Sequence, residues 1–426
     1  MFGVLFNTLA ENFTHFVIPR VFDLIVFLAP FAIPALLLEV FWEKWVDFIR
    51  LRFIYSQDYV LLEIKVPKDN VKSPAAMEVA LLAAHQGFGE SNWYQRFWLG
   101  SIRPWFSLEI VSVEGQVKFM IWTRKAMKRN IESALYSQFP NIEVHEVPDY
   151  THSVTFDPKR DKMWAVEFCL AKEDPYPIKT YIDYGLEKDP KEEFKIDPIT
   201  PGIEGMGSVG ANQQVWIQIL VRSHKGDSIK KGTFFKNTDP LIDSYKKIIN
   251  EIKNRDPETR TPIKVEGSDD MGFRGLVSLT KGEEEVIASI ERAMQKAQFD
   301  VVIRGINYSP KENFDGGNNG VIIGMWKQYA SEHLNAFKPN IKKYSMIFNY
   351  PWQDFMNFRN NAQMKNALDA YKKRAVFYSH GLHSKPFVLN SEELATIFHF
   401  PGGVSQTPTY ERILSKKGEP PANLPI

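Results

Sequence analysis

Residues 105–123, WFSLEIVSVEGQVKFMIWT, place two apolar runs on either side of Glu114-Gly115. Aromatic and β-branched residues fill both runs, and an acidic residue followed by glycine is a turn signal, so the stretch predicts a β-hairpin. Working outward, residues 59–66 (YVLLEIKV) read as a strand, and Ser73-Pro74 opens a helix over 75–86 that Gly87 closes. On the other side, residues 125–138 spell a helix that stops before Pro140, and residues 141–147 a last strand. The connection 87–103 is long and aromatic (Trp93, Tyr94, Phe97, Trp98), which suits a lid or a segment lying at a membrane surface.

The order strand, helix, strand, strand, helix, strand is the split β-α-β pattern, an antiparallel sheet with two helices on one face. It predicts a ferredoxin-like unit over residues 55–150. A related order recurs over 160–310. Residues 163–171 read as a strand, 201–211 as a short glycine-rich helix or loop, 213–222 (QQVWIQILVR) as a buried strand and 299–306 (FDVVIRGI) as the closing strand. The polar insertion 223–280 holds one amphipathic helix, 240–253. Thr280 and Glu283 form a capping box for a helix through Ala297 with Val286, Ile287, Ile290 and Met294 on its apolar face. A second, decorated ferredoxin-like unit is expected, its third strand not obvious.

Upstream of both units, residues 22–42 (FDLIVFLAPFAIPALLLEVFW) hold no charge from Leu24 to Leu38. That approaches the roughly 20 residues a helix needs to cross a bilayer. Trp42, Trp45 and Phe48 follow as an aromatic belt, and Lys44, Arg50 and Arg52 outnumber Arg20 on the other flank. A single-pass helix over 22–54 is therefore expected in the cell membrane, with the bulk of the chain cytoplasmic. Two alternatives stand beside it: a secretory signal, disfavoured by Glu11, Asp23, Glu39 and Glu43 around the apolar run, and a re-entrant hairpin kinked at Pro30 and Pro34. Residues 1–21 have the spacing of an amphipathic helix at the interface, either a simple anchor or a partner-binding helix.

Residues 320–400 read as mostly helical, over 321–337, 353–373 and, capped by Asn390, 391–398. Residues 401–426 form a proline-rich extended tail suited to docking. The fold class is thus α+β: a transmembrane helix, two ferredoxin-like units and a helical, proline-tailed C-terminal region.

The net charge of +1 leaves the chain without a basic field for phosphates, so any nucleic-acid contact rests on a local patch. Arg124, Lys125, Lys128 and Arg129 make one at the start of a helix, where the dipole disfavours cations. Anionic lipid, DNA phosphate or an acidic partner could meet them; an ordinary solvated helix face is the plainer reading. Cys169 is the one cysteine, which excludes an intrachain disulfide and any multi-thiolate metal site.

No GxxxxGK[ST] occurs, and glycines 205, 207, 316 and 317 read as turns. His380 and His383 lack further ligands nearby, and Asp269 and Asp270 lack a pocket to tune them. No catalytic residue, cofactor or metal site is expected.

The stretch 390–425, NSEELATIFHFPGGVSQTPTYERILSKKGEPPANLP, resembles the segment preceding the P-loop motor in large membrane-anchored conjugation and type IV secretion ATPases of uncultivated bacteria. YVLLEIKVPKDN, GESNWYQRFWLGSIRPWFSLEIVS and QVWIQIL resemble the same proteins. The resemblance implies a non-motor accessory part of a translocation complex, a homo-oligomer with a membrane and a P-loop ATPase as partners. Glu392, Glu393, Phe398, Phe400, Pro408, Pro420 and Pro421 are the expected docking residues. An envelope enzyme and a direct DNA-binding module are the alternatives.

Overall fold

A computed structural model describes residues 18–67, 72–86, 89, 92–187, 197–226, 228–229, 237–253, 279–340, 352–378 and 385–401. The N-terminal stretch read as an interfacial helix falls mostly outside these residues, as does the proline-rich tail. So do Asp269, Asp270, His380, His383, Pro408, Pro420 and Pro421. The chain forms two compact units: residues 1–56 with 90–102, and residues 57–89 with 103–426.

The first unit is built on helix α1, Ile18–Tyr55, which runs unbroken through Pro30 and Pro34. At 1.5 Å per residue its 38 residues extend about 57 Å, more than a bilayer core requires.

The second unit is organised by one nine-stranded antiparallel sheet. In its first half, β1 (Tyr59–Lys65) leads through α2 (Pro74–Ala84) to β2 (Trp105–Val113) and β3 (Gln116–Arg124), then through α4 (Lys125–Gln138) to β4 (Glu143–Val147). The lateral order is β2-β3-β1-β4. Helix α3 (Trp93–Phe97) belongs to the first unit. The helix-start and hairpin signals act as read; α2 ends at Ala84 with His85 as its C-cap, and Gly87, read as its close, lies outside the described residues. Ser73 Oγ accepts from Ala75 N with Pro74 in the first turn, and the β2–β3 turn places both Glu114 (φ 53°) and Gly115 (φ 84°) in the left-handed region. That pair of conformations matches the strand twist of a two-residue hairpin.

The second half runs from β5 (Asp161–Leu170) through α5 (Thr200–Gly207) to β6 (Gln214–Ser223). The ribbon β7–β8 (Ser228–Ile229, Asn237–Thr238), α6 (Pro240–Ile252) and α7 (Lys281–Gln295) follow before β9 (Gln298–Pro310). Then come α8 (Gly317–Gly324) and β10 (Phe337–Pro339), giving the lateral order β10-β5-β9-β6. The halves join where β2 and β6 pair antiparallel from Trp105↔Arg222 to Val113↔Gln214.

Several expectations need correcting. Residues 299–306 do not close the second half: β9 lies between β5 and β6, pairing with both. The closing edge is β10, inside the stretch read as a helix over 321–337. That helix ends at Gly324 because burial of aromatic side chains outweighs helical spacing. Trp326 packs on Phe168 (5.3 Å between centroids) and Phe337 (5.2 Å), which pulls the chain into the sheet edge. The helix read over 353–373 is α9, Phe358–Lys372, and residues 387–390 form a further strand, β11, on β9. The region 320–400 is therefore mixed.

One sheet face carries the main core. Phe119, Ile121, Leu108, Ile110, Ile217 and Ile303 meet Met77 and Leu81 of α2, Ile131 and Leu135 of α4, Met206 of α5 and Ile322 of α8. Leu394, Phe398 and Phe400, on and after α10 (Ser391–Ile397), complete it. The insertion has a smaller core of its own, in which Tyr245 and Ile248 of α6 meet Ile287 and Ile290 of α7.

Candidate functional site

The residues that set this chain apart from an ordinary two-layer fold lie in two places, one in each unit. In the first unit, α3 folds back against the C-terminal part of α1. Asn92 caps α3 by accepting from Gln95 N at 2.9 Å. Trp45 Nε1 donates to Phe97 O at 3.2 Å, Trp42 packs on Phe97 at 5.5 Å, and Trp45 meets Trp98 edge-on at 5.7 Å. Trp93, Tyr94, Trp98 and Leu99 remain exposed around this cluster, while α1 itself exposes Phe27, Phe31, Leu36, Leu37 and Leu38. A stripe of apolar side chains bordered by tryptophans with polar ring edges is the arrangement that suits a bilayer core and its headgroup zone.

The fold-back depends on Gly100. Its φ is +63°, and a Cβ there would lie 2.4 Å from Ile49 O and 2.8 Å from Arg50 N, both backbone atoms. Gly100→Val is expected to detach α3 from α1 through steric exclusion together with the about 1–2 kcal/mol disfavour of a left-handed residue. Hydrogen exchange at residues 93–99 reads the loss. Protection unchanged from wild type would refute it.

In the second unit, the opposite sheet face carries a row at a single register that is polar except at Met120. His145 (β4), Glu63 (β1), Met120 (β3), Glu109 (β2), Gln218 (β6), Arg304 (β9) and Glu167 (β5) are successive cross-strand partners. The end of α9 covers the middle of the row. Gln218 Nε2 donates to Tyr371 O (3.2 Å), and Arg304 donates to Ala370 O (3.2 Å) and Ala375 O (2.9 Å) while pairing with Glu167 (2.9 Å). Ala370 O and Tyr371 O already accept backbone N–H groups from Ala375 and Arg374, so these side chains add a second donor to each and tie the end of the helix to the sheet.

Arg374, 1% exposed, follows the helix in the left-handed conformation (φ 46°). Its guanidinium binds both oxygens of Glu109 (2.9 and 3.1 Å) and pairs with Asp149. Burial pushes the Asp149 carboxyl up, but the Arg374 charge and hydrogen bonds, with those from Thr151, bring it below its usual range. Burial, then the nearby Glu109 charge, pushes the Tyr150 and Tyr371 phenols well above theirs. Tyr150 donates to Glu109 Oε2 (2.9 Å) and meets Tyr371 Oη at 3.0 Å. In this arrangement the acids and cations satisfy one another, and the phenols hold their protons. The chemistry they perform is clamping: they fix α9 and residues 149–150 onto the sheet.

A second ionic group ties the insertion to the sheet. His224 Nδ1 lies 2.6 Å from Asp300 Oδ1, and His224 Nε2 lies 3.7 Å from Asp239, the residue that caps α6. Burial favours the neutral ring, but the hydrogen bond to Asp300 and the charges of Asp300 and Asp239 outweigh it, so His224 titrates above its ordinary value.

The candidate contact residues are not brought together as one surface. Arg124 is buried at the N-cap of α4, with its guanidinium over the Trp105 ring at 5.7 Å. Lys128 pairs with Glu146 at 2.6 Å, and Lys125 and Arg129 alone are fully exposed. The patch is thus smaller and more neutral than its sequence. Glu392, Glu393, Phe398 and Phe400 are corrected from docking residues to interior ones. They are 2% exposed or less, since α10 is drawn into the core by Leu394, Phe398 and Phe400. Glu393 completes a capping box with Asn390 and accepts from Ile178 N at 2.8 Å; Glu392 accepts from Thr180 Oγ1 at 2.6 Å and pairs with Arg292.

The polar row itself escaped the sequence reading. Its signal was present: YVLLEIKV, WFSLEIVSV, QVWIQILVR, MWAVEFCLA and FDVVIRGI each place one charged or amide residue in the middle of an apolar run. A strand buried on both faces has little reason to hold such a residue unless a neighbour pairs with it.

This geometry defines a mixed helix-and-sheet protein with an N-terminal helix long and apolar enough to cross a bilayer, an 18-residue window within Val26–Tyr55 reaching a mean hydropathy of 1.7. The chain belongs to the family described as Domain of unknown function (DUF8128), whose pattern matches residues 55–412. No curated protein matches it.

Proposed function

We propose that this protein is a membrane-anchored scaffold of a type IV secretion or conjugation-like translocation complex, and that its sheet docks or completes a P-loop ATPase. The observation that carries the anchoring is the exposure of α1: Phe27, Phe31 and Leu38 are 70%, 71% and 69% exposed, a surface that water disfavours and lipid accepts. The excess of Lys44, Arg50 and Arg52 after the apolar run supports a single-pass orientation with the sheet in the cytoplasm.

The order β2-β3-β1-β4, with α2 and α4 as crossovers, supports reading the first half of the sheet as a ferredoxin-like unit. The order β10-β5-β9-β6, with α5 and α8 in the corresponding places, supports a second such unit with the insertion between its second and third strands. Two such units joined edge to edge make a broad platform suited to self-assembly and to holding a motor. The translocation role rests on the resemblance of residues 390–425 and of the strand segments to the non-motor parts of secretion ATPases.

The test is purification of the intact protein from its native membranes in detergent, after crosslinking, with bound partners identified by mass spectrometry. A stoichiometric P-loop ATPase is the expected result. Recovery of the protein alone, or with envelope-metabolism enzymes, removes the secretion reading. Recovery in the soluble fraction removes the anchor as well.

A further inference from the structure

The second unit carries one concentrated apolar exposure that its own core does not explain. Trp352, Phe355, Met356 and Phe358 are 76%, 80%, 80% and 77% exposed, within seven consecutive residues (WQDFMNF). Isolated exposed apolar residues are ordinary; four of the largest side chains projecting from one short turn are not.

The turn is built rather than loose. Asp354, 9% exposed, points inward and accepts from Arg359 N (2.8 Å) and Asn360 N (2.9 Å), capping the first turn of α9 with its carboxylate. To bring that carboxylate under the helix, the chain passes through two consecutive left-handed residues, Met356 (φ 54°, ψ 24°) and Asn357 (φ 57°, ψ 28°). Non-glycine residues adopt this conformation at a cost, and here it turns Phe355, Met356 and Phe358 outward together.

Among the described residues of the turn and α9 the unpaired exposed charge is positive: Asp354 is buried against the helix and the exposed Asp369 pairs with Lys373, whereas Arg359 and Lys365 are exposed and form no ion pair. Aromatic and methionine side chains at a tip, with cations behind them, match an anionic bilayer surface: the rings enter the headgroup zone and the cations meet phosphates. A protein groove for this tip would favour acidic rims, and an aqueous surface would favour neither feature.

We propose that residues 352–359 are a second membrane contact, an aromatic knob that dips into the anionic headgroup layer and fixes the orientation of the second unit against the bilayer. The inference rests on the proposed anchoring by α1. A single helix leaves a domain free to swivel, and a second point of contact removes that freedom.

The test uses the full-length chain reconstituted into vesicles containing anionic lipid. In a Cys169→Ser background, the environment-sensitive dye NBD is attached at Met356→Cys or, separately, at Leu37→Cys in α1. The expected result is quenching at position 356 by lipids brominated near the headgroup, by about twofold, weakening when the anionic lipid is replaced by zwitterionic lipid. Position 37 should respond to deeper bromines. Trp352→Ser with Phe355→Ser and Phe358→Ser should abolish quenching at 356 and leave position 37 unchanged. Quenching at 37 without quenching at 356 overturns the knob contact and leaves the anchor standing. Absence of quenching at both positions overturns the anchor and the contact that rests on it. A blue-shifted but unquenched dye at 356 overturns the lipid contact in favour of a protein surface.

Discussion

Arg374→Ala lowers the free energy of unfolding by about 3–5 kcal/mol, the range found when one partner of a buried ion pair is removed and the other stays behind uncompensated. The partner left behind is Glu109, whose exposure is 0% and whose two carboxylate oxygens both bind the guanidinium. Two further variants separate charge from backbone. Arg374→Gly loses the same ion pairs but relieves the left-handed backbone, so it should be less damaging by about 1 kcal/mol. Arg374→Met combined with Glu109→Gln and Asp149→Asn removes all three charges and should recover a large part of the loss, because the neutral set carries no stranded charge. Chemical denaturation of the detergent-solubilised chain, followed by the fluorescence of Trp122 and its neighbours, measures all three. A loss below about 1 kcal/mol for Arg374→Ala would mean that water or a rearranged Lys372 reaches Glu109, and the clamp would have to be abandoned.

The second large effect is on pH. Glu393 lies in the core with its oxygens on Ile178 N and Asn390 N, and burial pushes its carboxyl up to about 8 in spite of those donors. A group whose folded value is raised stabilises the fold fully below its unfolded value, the usual 4.5, and that contribution is lost as pH rises through the folded value. Between about pH 5 and pH 8 the folded chain holds one more proton than the unfolded chain, so stability should fall by about 1.4 kcal/mol per pH unit from this residue alone. His224, also raised, adds a slope of the same sign above its ordinary 6.5. Glu393→Gln cannot titrate. It should show a flatter profile than wild type over this window, whatever its absolute stability. Parallel profiles for the two proteins would show that Glu393 is ionised in the fold throughout.

The first half of the sheet was legible because each of its decisions is local. Ser73-Pro74 starts α2, Glu114-Gly115 turns the hairpin, and the apolar runs in 59–66 and 105–123 mark the strands. The capping boxes at Thr280 and Asn390 were legible for the same reason. The second half was harder because its third strand is separated from its second by two helices. Nothing near residues 299–306 tells a central strand from a closing one; only pairing with both β5 and β6 decides it. Residues 321–337 misled because the aromatic spacing of a helix also suits a loop whose rings fill a core, as Trp326, Tyr329 and Phe337 do. Glu392 and Glu393 misled in another way. Acids in a first helical turn read as solvent-facing, but here Arg292 and Ile178 N, both far away in sequence, join the local donor Asn390 N in compensating them. The clamp was the least accessible, since Arg374 and Glu109 are 265 residues apart.

The seam where β2 meets β6 has a mechanical meaning. Nine consecutive residue pairs, from Trp105↔Arg222 to Val113↔Gln214, cross it, and Gln218 grips Glu109 over it at 3.0 Å. A tension directed along these strands loads the whole ladder in shear, so its bonds must fail together rather than unzip in sequence. The two halves should therefore resist such a load together, the nine pairs sharing it across the seam.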